Sequence, residues 1–318
     1  MMKVALCGAW HVHAVDYTKK ALANDGVEML GFYEENEALR ESFQKKFPEL
    51  YAFKSFEELL TSEADGVICC TASNTHADYM VRIAEAKKDI FTEKVLALTT
   101  EECLRVKEAV DKNGVKFVIS LFQKFRGGMM ALKALADSGE LGKINYVRFR
   151  NCHSGSIGNW LPEHFFNKKE CGGGAMIDLG AHGMYLIDWF LGLPEKYSSV
   201  FTLWDSNPKN KDGVEDNAVT VMSYKDGSIA VSETGFVSGV DPTTLIVSGD
   251  KGYARFVNNE GAVKCTKATE NKIVPLEIPE DKPYPIDLFL SGEPTEGCGM
   301  TEAIHLTQMM EGAYKNQI

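Results

Sequence analysis

Residues 3–35 decide the fold, and they read KVALCGAWHVHAVDYTKKALANDGVEMLGFYEE. The pattern predicts a short buried strand ending at Gly8, a moderately amphipathic helix, and a second strand ending at Glu34. Strand, glycine and helix in this order open a dinucleotide-binding unit. Only Gly8 remains of the usual G-x-G-x-x-G, with Trp10 and His13 at the other two places, so the loop alone is weak evidence. Glu34 follows His13 by 21 residues, close to the offset at which an acid accepts the ribose hydroxyls.

The same alternation continues to Ser120. DGVICCT, DIFTE and VKFVIS read as further strands separated by helices, and the last is counted as the sixth strand. This alternation of strands and helices predicts a Rossmann-type, parallel, doubly wound α/β domain over residues 1–120. Ligands of such sheets lie at the carboxyl ends of the strands. The residues at those ends are Gly8, Glu34, Thr71 to His76, and Glu93 with Lys94.

A different pattern fills residues 121–318. A helix (GMMALKALADSGELG) and a strand precede a series of short alternating strands separated by turns such as Lys225-Asp226-Gly227. We expect an α+β domain with an open antiparallel sheet and helices on one face. The terminal helix, MTEAIHLTQMMEGAYKN, is a candidate for packing back on the first domain.

Composition excludes several classes of protein. The formal net charge of −11 argues against a nucleic-acid partner, which needs clustered Lys and Arg. The sequence has no run of about eighteen apolar residues, so no membrane span is predicted. The opening MMKVALCGAW reads as a strand rather than a signal peptide. We therefore expect a cytoplasmic protein whose eight cysteines are reduced.

Residues 172–192, GGGAMIDLGAHGMYLIDWFLG, carry the candidate chemistry. As one helix they would place Asp178, His182 and Tyr185 along one side and stop at Gly192. A carboxylate one turn before an imidazole fixes its orientation and tunes its proton affinity, as acid/base catalysis requires. The alternative is an amphipathic helix whose Asp and His only cap and hydrogen-bond.

Three segments together resemble the Gfo/Idh/MocA family of NAD(P)-dependent sugar and polyol oxidoreductases. They are TASNTHADYMVRIAEAKKDIFTEKV (71–95), LFQKFRGGMMALKALADSGELGKINYVRFR (121–150) and the 172–192 stretch. The resemblance covers essentially the whole chain. It implies that the family's catalytic Lys, Asp and acid/base correspond to Lys94, Asp178 and His182.

Three departures accompany this resemblance. The glycine loop is poorer than in the family, and Tyr185 stands where many members have Asp. Glu-Lys-Pro has become Glu93-Lys94-Val95. Because a cis bond before a non-proline costs about 3–4 kcal/mol, the loop that presents Lys94 is expected to be shaped differently.

Roles follow for the remaining candidates. His182 would move the proton of a substrate hydroxyl, held by Asp178, while Lys94 polarises the same oxygen. Lys94 could instead only form a salt bridge with Glu93, and His76 could only cap a helix. The cofactor would contact Gly8, Trp10, His11, Glu34, Thr71, Asn74, His76 and Glu93. The substrate would contact Lys124, His153, Trp160 and Tyr185.

Cofactor and metal expectations rest on single residues. NAD is expected rather than NADP, because Glu34 repels a 2′-phosphate and no Arg follows within five residues. His11 and His13 would not share a helix face, so no metal is expected.

The chain is therefore predicted to be an NAD-dependent oxidoreductase acting on a carbinol of a sugar, polyol or glycoside. Two alternatives remain open. One is a glycoside-cleaving enzyme that keeps NAD bound and oxidises the sugar transiently, and the other is a non-catalytic protein that senses cofactor or sugar. The expected partners are a small sugar, polyol or glycoside and further copies of the chain, in a dimer or tetramer.

Overall fold

A computed structural model describes residues 1–240 and 243–318. The chain forms two compact units. Met1–Ser120 and Pro283–Thr307 make the first, and Leu121–Lys282 and Gln308–Ile318 make the second. Each unit is described by itself.

The first unit is built on a five-stranded parallel sheet with the strand order β2-β1-β3-β4-β5. Its strands are β1 (Met2–Cys7), β2 (Val27–Tyr33), β3 (Gly66–Cys69), β4 (Asp89–Thr92) and β5 (Phe117–Ile119). Its helices are α1 (Ala14–Leu22), α2 (Glu37–Lys46), α3 (Phe56–Thr61), α4 (His76–Glu85), α5 (Thr100–Asn113) and α9 (Pro285–Ser291). β3 is buried along its whole length, as its continuous apolar run predicts. The predicted Rossmann-type parallel sheet is confirmed.

Two local predictions in this unit are wrong. VKFVIS supplies the fifth strand rather than the sixth, because the sheet of this unit has five strands. The first helix begins at Ala14 rather than near Gly8. The residues between Gly8 and Ala14 form a turn, and the backbone N–H of His11 donates to the Cys70 carbonyl at the end of β3.

The second unit carries an eight-stranded sheet in the order β13-β12-β11-β10-β6-β9-β8-β7. Its strands are β6 (Ile144–Cys152), β7 (Lys196–Thr202), β8 (Asn217–Ser223), β9 (Ile229–Gly235), β10 (Thr244–Gly249), β11 (Gly252–Val257), β12 (Glu260–Cys265) and β13 (Val274–Leu276). Its helical segments are the 3₁₀ turns Phe122–Phe125 and Glu163–Phe166, the helices α6 (Gly127–Asp137), α7 (Lys168–Cys171) and α8 (Ala181–Leu191), and the π turn Met176–Gly180. The last helix, α10 (Met300–Lys315), contributes to both units.

This sheet is mixed rather than purely antiparallel. β6 runs parallel to β9, and every other neighbouring pair is antiparallel. Parallel neighbours need a long crossover connection. The connection here includes α8, which packs against both β6 and β9.

Sequence analysis missed β12 and β13. β11 turns into β12 through two residues, Asn258 and Asn259, since Val257 pairs with Glu260. Both asparagines have positive φ, of 46° and 70°, as a two-residue type I′ hairpin requires. The Asn-Asn pair was the available signal.

Along the described ranges, the structure contains no helix with the length and apolar character needed to cross a bilayer.

Candidate functional site

Gly8 follows β1 and contacts residues at or just beyond the ends of β2 and β3. It has a φ of +87°, and a Cβ at this position would lie 2.6 Å from the backbone nitrogen of Thr71. Its own N–H donates to the Tyr33 carbonyl at 2.8 Å. Only glycine fits this turn, so the single glycine kept from the motif is the one that the backbone requires.

Glu34 follows β2 and is buried, with 7% of its surface exposed. Its carboxylate accepts the backbone N–H of Ala9 at 2.6 Å and that of Asn36 at 2.8 Å. Burial raises the pKa of Glu34, and the two N–H donors oppose that effect. The guanidinium of Arg40 donates to the Glu34 carbonyl at 3.3 Å. A cationic group therefore lies near this acid, although no Arg follows it within five residues.

Two polar side chains after β3 carry buried acceptor atoms. The Nδ1–H of His76 donates to the Val95 carbonyl at 2.9 Å, which leaves Nε2 as an acceptor. Both His76 Nε2 and Asn74 Oδ1 are buried without a hydrogen-bond partner. Such atoms carry a free-energy penalty unless a donor reaches them, so they are candidate contacts for a ligand. His76 also does more than cap a helix, because it holds the backbone next to Lys94.

Lys94 lies directly after β4 and is buried, with 6% of its surface exposed. The peptide bond between Lys94 and Val95 is cis. The backbone N–H of Lys94 donates to Glu93 at 3.0 Å. Glu93 is 1% exposed and also accepts from His13 and from the Tyr17 hydroxyl.

The turn before α1 carries Trp10, His11 and His13. The indole of Trp10 is buried, and the rings of His11 and His13 lie 4.7 Å apart. The argument that these histidines point apart assumed a helix. It is wrong, because both residues precede α1 and their rings lie close together.

In the second unit, the 172–192 stretch is not one α-helix. Gly172 has a φ of +84°, Met176–Gly180 form a π turn, and α8 begins only at Ala181. Asp178 therefore belongs to the π turn and His182 to α8. π turns are rare and frequently occur at functional sites.

A partly buried carboxylate fixes the start of this stretch. Glu215 accepts the backbone N–H groups of Gly174 and Met176, and the hydroxyl of Tyr314 donates to it at 2.6 Å. A Cβ on Gly173 would overlap that hydroxyl. The glycines thus admit Tyr314 and Glu215 to the helix start, where an anionic group is favourable.

His182 is 4% exposed, and its orientation is set within the second unit. Its Nδ1 hydrogen-bonds to the Tyr185 hydroxyl at 2.8 Å. That hydroxyl also accepts the backbone N–H of Gln123 at 3.2 Å. The ring of Phe122 packs edge-on against the imidazole, with centroids 5.1 Å apart. The described partner of Nδ1 is therefore Tyr185, which was predicted as a substrate contact.

The other predicted substrate contacts fall into two groups. Lys124 is buried in the 3₁₀ turn beside Gln123, and its ammonium lies 5.9 Å from the ring of Trp189. His153, at the end of β6, stacks on Phe236 with centroids 4.9 Å apart. Trp160 lies 4.7 Å from His153 and is 53% exposed. An exposed indole beside stacked rings offers an apolar face of the kind that C–H groups pack on.

The structure thus brings together two sets of predicted residues. At the carboxyl edge of the first sheet lie Gly8, Trp10, His11, Glu34, Thr71, Asn74, His76, Glu93 and Lys94. The second unit joins His182 to Tyr185 and, separately, His153 to Trp160. Sequence reasoning missed Gln123, Glu215 and Tyr314, whose contacts join residues far apart in the chain.

The chain thus consists of a parallel α/β unit with a dinucleotide-type turn, followed by a mixed-sheet unit with a buried imidazole. Residues 2–121 match the oxidoreductase family with an NAD-binding Rossmann fold, and residues 129–255 match the GFO/IDH/MocA C-terminal domain. The chain belongs to the Gfo/Idh/MocA family.

Several proteins of known name are similar to this chain. Inositol 2-dehydrogenase of Salmonella paratyphi B is 30% identical over 207 residues, which are 64% of this chain and 57% of that protein. Myo-inositol 2-dehydrogenase of Thermotoga maritima is 25% identical over 256 residues, 79% of this chain and 74% of that one. The crystal structure of aldose-aldose oxidoreductase from Caulobacter crescentus, complexed with glycerol, superimposes with a TM-score of 0.81 at 16% identity. It covers 99% of this chain and 97% of its own, and at that identity it shows the fold alone.

Proposed function

We propose that this chain is an NAD-dependent oxidoreductase that transfers hydride between the nicotinamide and a carbinol carbon of a sugar, polyol or glycoside. The observation that carries the proposal is the buried His182, whose Nδ1 is held by Tyr185 and whose partner is held in turn by Gln123. These bonds fix the orientation of the imidazole, as acid/base catalysis at its other nitrogen requires. The names of the relatives favour a cyclic polyol as the first substrate to try.

The residues at the edge of the first sheet suit NAD. Gly8 gives the close turn, Glu34 supplies an anion after β2, and the unpartnered Asn74 Oδ1 and His76 Nε2 can accept from ribose or amide groups. When bound, NAD supplies the acceptor for the hydride that leaves the carbinol carbon. Our proposal assigns this edge, with Trp10, His11, Thr71 and Glu93, to cofactor binding.

His182 would take the proton of the substrate hydroxyl at Nε2. For that step Nδ1 must carry a proton and donate it to the Tyr185 oxygen, which has a second lone pair for the Gln123 N–H. The imidazolium that forms keeps both bonds, so no rearrangement accompanies proton transfer. We assign to Lys94 the polarisation of the same oxygen, and to Asp178 the stabilisation of the imidazolium.

A single-turnover assay tests these roles. Reduced nicotinamide is followed by absorbance after mixing with inositols, monosaccharides and glycosides. His182→Ala and Lys94→Ala should each slow hydride transfer about 10²–10⁴-fold, the usual contribution of positioned proton transfer, with NAD affinity nearly intact. Asp178→Asn should also slow it. Lys45→Ala, on the exposed face of α2, is the matched lysine control and should keep the parent rate.

Each alternative predicts a different outcome. Parent rates in His182→Ala and Lys94→Ala would make these residues structural. Failure of every compound to reduce bound NAD would favour a sensing protein. Glycoside cleavage without accumulation of NADH, together with NAD released from the heat-denatured protein, would favour the glycoside-cleaving alternative.

We further propose that NAD binds more tightly than NADP. The Glu34 carboxylate can still accept from a ribose hydroxyl, because each oxygen keeps a lone pair, and it repels a 2′-phosphate. Arg40 is the nearest described cation that could oppose this preference. Fluorescence titration with both cofactors decides the question, and tighter NADP binding would contradict the proposal. Light scattering tests the predicted homo-oligomer.

A further inference from the structure

One group of potential metal ligands lies outside the acid/base set. His11, His13 and Glu93 each direct a ligand atom to one place, and these atoms all lie within 4.8 Å of one another. The Nδ1 of His13 is 2.8 Å from Glu93 Oε1, and the Nδ1 of His11 is 3.9 Å from the same oxygen. We call these residues the His-His-Glu cluster.

Hydrogen bonds within the protein hold the side chains of the cluster in place. Glu93 is 1% exposed, and its second oxygen accepts the backbone N–H of Lys94. The hydroxyl of Tyr17 donates to the first oxygen. The carboxylate therefore has a fixed position, and the turn before α1 holds both imidazoles beside it. A ligand set that is already in place loses little conformational entropy on binding an ion.

The Glu93 carboxylate hydrogen-bonds directly to one of the two imidazoles. His13 donates its Nδ1 proton to Glu93, which already pairs that carboxylate. His11 Nδ1 accepts the backbone N–H of His13 at 3.2 Å, so this nitrogen acts as an acceptor and not as a donor to Glu93. Two acceptor atoms, His11 Nδ1 and Glu93 Oε1, therefore lie 3.9 Å apart. A cation between them would be favourable to both.

We propose that His11, His13 and Glu93 form a binding site for one divalent transition-metal ion of the zinc class. Two imidazole nitrogens and one carboxylate oxygen are the donor set of zinc sites that keep an open position. Zinc bonds to these ligands at about 2.0–2.2 Å, which a separation of 3.9 Å can accommodate. The contact between His13 and Glu93 must lengthen by about half an ångström, and the ion takes the place of the His13 Nδ1 proton.

The neighbourhood of Gly8 places this site at the same edge as the proposed cofactor. The metal proposal does not depend on the oxidoreductase proposal, because it concerns only the ligands of the first unit. Its test uses protein from which cofactor and metals have been removed. The two proposals can therefore fail separately.

Titration with Co²⁺, followed by its visible absorption, and calorimetry with Zn²⁺ test the site. The parent protein should bind one equivalent of each ion. His13→Gln should weaken binding by at least about tenfold, since one of three ligands is lost. His13 is only partly buried, so this variant should fold, whereas Glu93→Gln changes a fully buried group. His305→Gln removes a histidine outside the cluster and should bind as the parent does.

A second histidine variant separates the loss of a ligand from misfolding of the first variant. His11→Gln should weaken Co²⁺ binding to a similar degree and change the visible band, because an imidazole is lost from the coordination sphere. Circular dichroism of each variant must match the parent. No band with Co²⁺ and no heat with Zn²⁺ in the parent would overturn the proposal. Parent-like affinity in both folded histidine variants would also overturn it.

Discussion

The hydroxyl of Tyr185 offers the sharpest test of how the imidazole is positioned. Tyr185→Phe keeps the buried ring, which is 1% exposed, and removes only the group between His182 Nδ1 and the Gln123 N–H. The Gln123 N–H then lies buried without an acceptor, which costs about 1–3 kcal/mol of stability. The hydrogen bond that orients the imidazole contributes about 1–2 kcal/mol. If that free energy is lost from the transition state, hydride transfer should slow about 5- to 30-fold.

The assay compares single-turnover NADH formation with NAD affinity in the same variant. The hydride step should slow while NAD affinity stays at the parent value, a split that a purely structural role would not produce. Tyr224→Phe is the matched control, because the hydroxyl of Tyr224 donates to the Gly192 carbonyl at the far end of α8. It should lower stability without slowing the hydride step. A parent rate in Tyr185→Phe, or equal slowing in both variants, would refute this account of His182.

Three further predictions concern stability and cofactor exchange. Burial raises the pKa of Glu233, but the guanidinium groups of Arg148 and Arg150 lower it by more. The pKa of Glu233 therefore lies below its ordinary value. The ion pair therefore stabilises the fold above the unfolded pKa of about 4.3 and loses this effect as the pH falls through the folded pKa. Glu233→Gln should lower the free energy of unfolding by about 1 kcal/mol near pH 7. The melting temperature of this variant should converge with that of the parent as the pH falls below about 4. A difference in melting temperature that stays constant across pH would contradict the assignment. Gly173→Ala places a methyl group on the Tyr314 hydroxyl and should cost about 1–3 kcal/mol in denaturant unfolding, so an unchanged midpoint would rule out the close approach. Trp10→Gly should speed cofactor release about 2- to 13-fold, if the indole contributes about 0.5–1.5 kcal/mol against the dinucleotide, and an unchanged off-rate in stopped-flow displacement would exclude that contact.

Local pattern predicted the parallel sheet well, since each strand ends in a polar or glycine residue at the same edge. Gly8 illustrates the limit of motif matching. Its loop scores poorly against G-x-G-x-x-G, yet Gly8 is the position where a side chain would overlap the Thr71 backbone. The physical requirement sits at one glycine, and the other two places tolerate Trp10 and His13.

Non-local contacts set the limits of the site prediction. Helical spacing placed Tyr185 on the same side as His182, and the structure confirms that these side chains meet. Spacing could not reveal the Gln123 N–H, which lies 62 residues away from Tyr185. It also assumed a continuous helix through Asp178. The π turn begins where Glu215 binds the backbone, and nothing in local periodicity indicates that contact.

Helical spacing also led to the expectation of no metal at His11 and His13. Side chains two apart diverge on a helix, but His11 and His13 lie in a turn whose shape is set by the Cys70 carbonyl on another strand. Helix boundaries are uncertain by a residue or two even with coordinates. Here a boundary error of several residues changed the predicted chemistry.

Hydride transfer is the central claim, and isotope transfer tests it most directly. The protein is mixed with NAD and an inositol carrying deuterium on its ring carbons, and the nicotinamide product is analysed by mass spectrometry. The account predicts reduced NAD that carries one deuterium from the substrate, with this product lost in His182→Ala and retained in Lys45→Ala. Reduced NAD without deuterium, or no reduced NAD from any sugar or polyol tried in the same way, would contradict it.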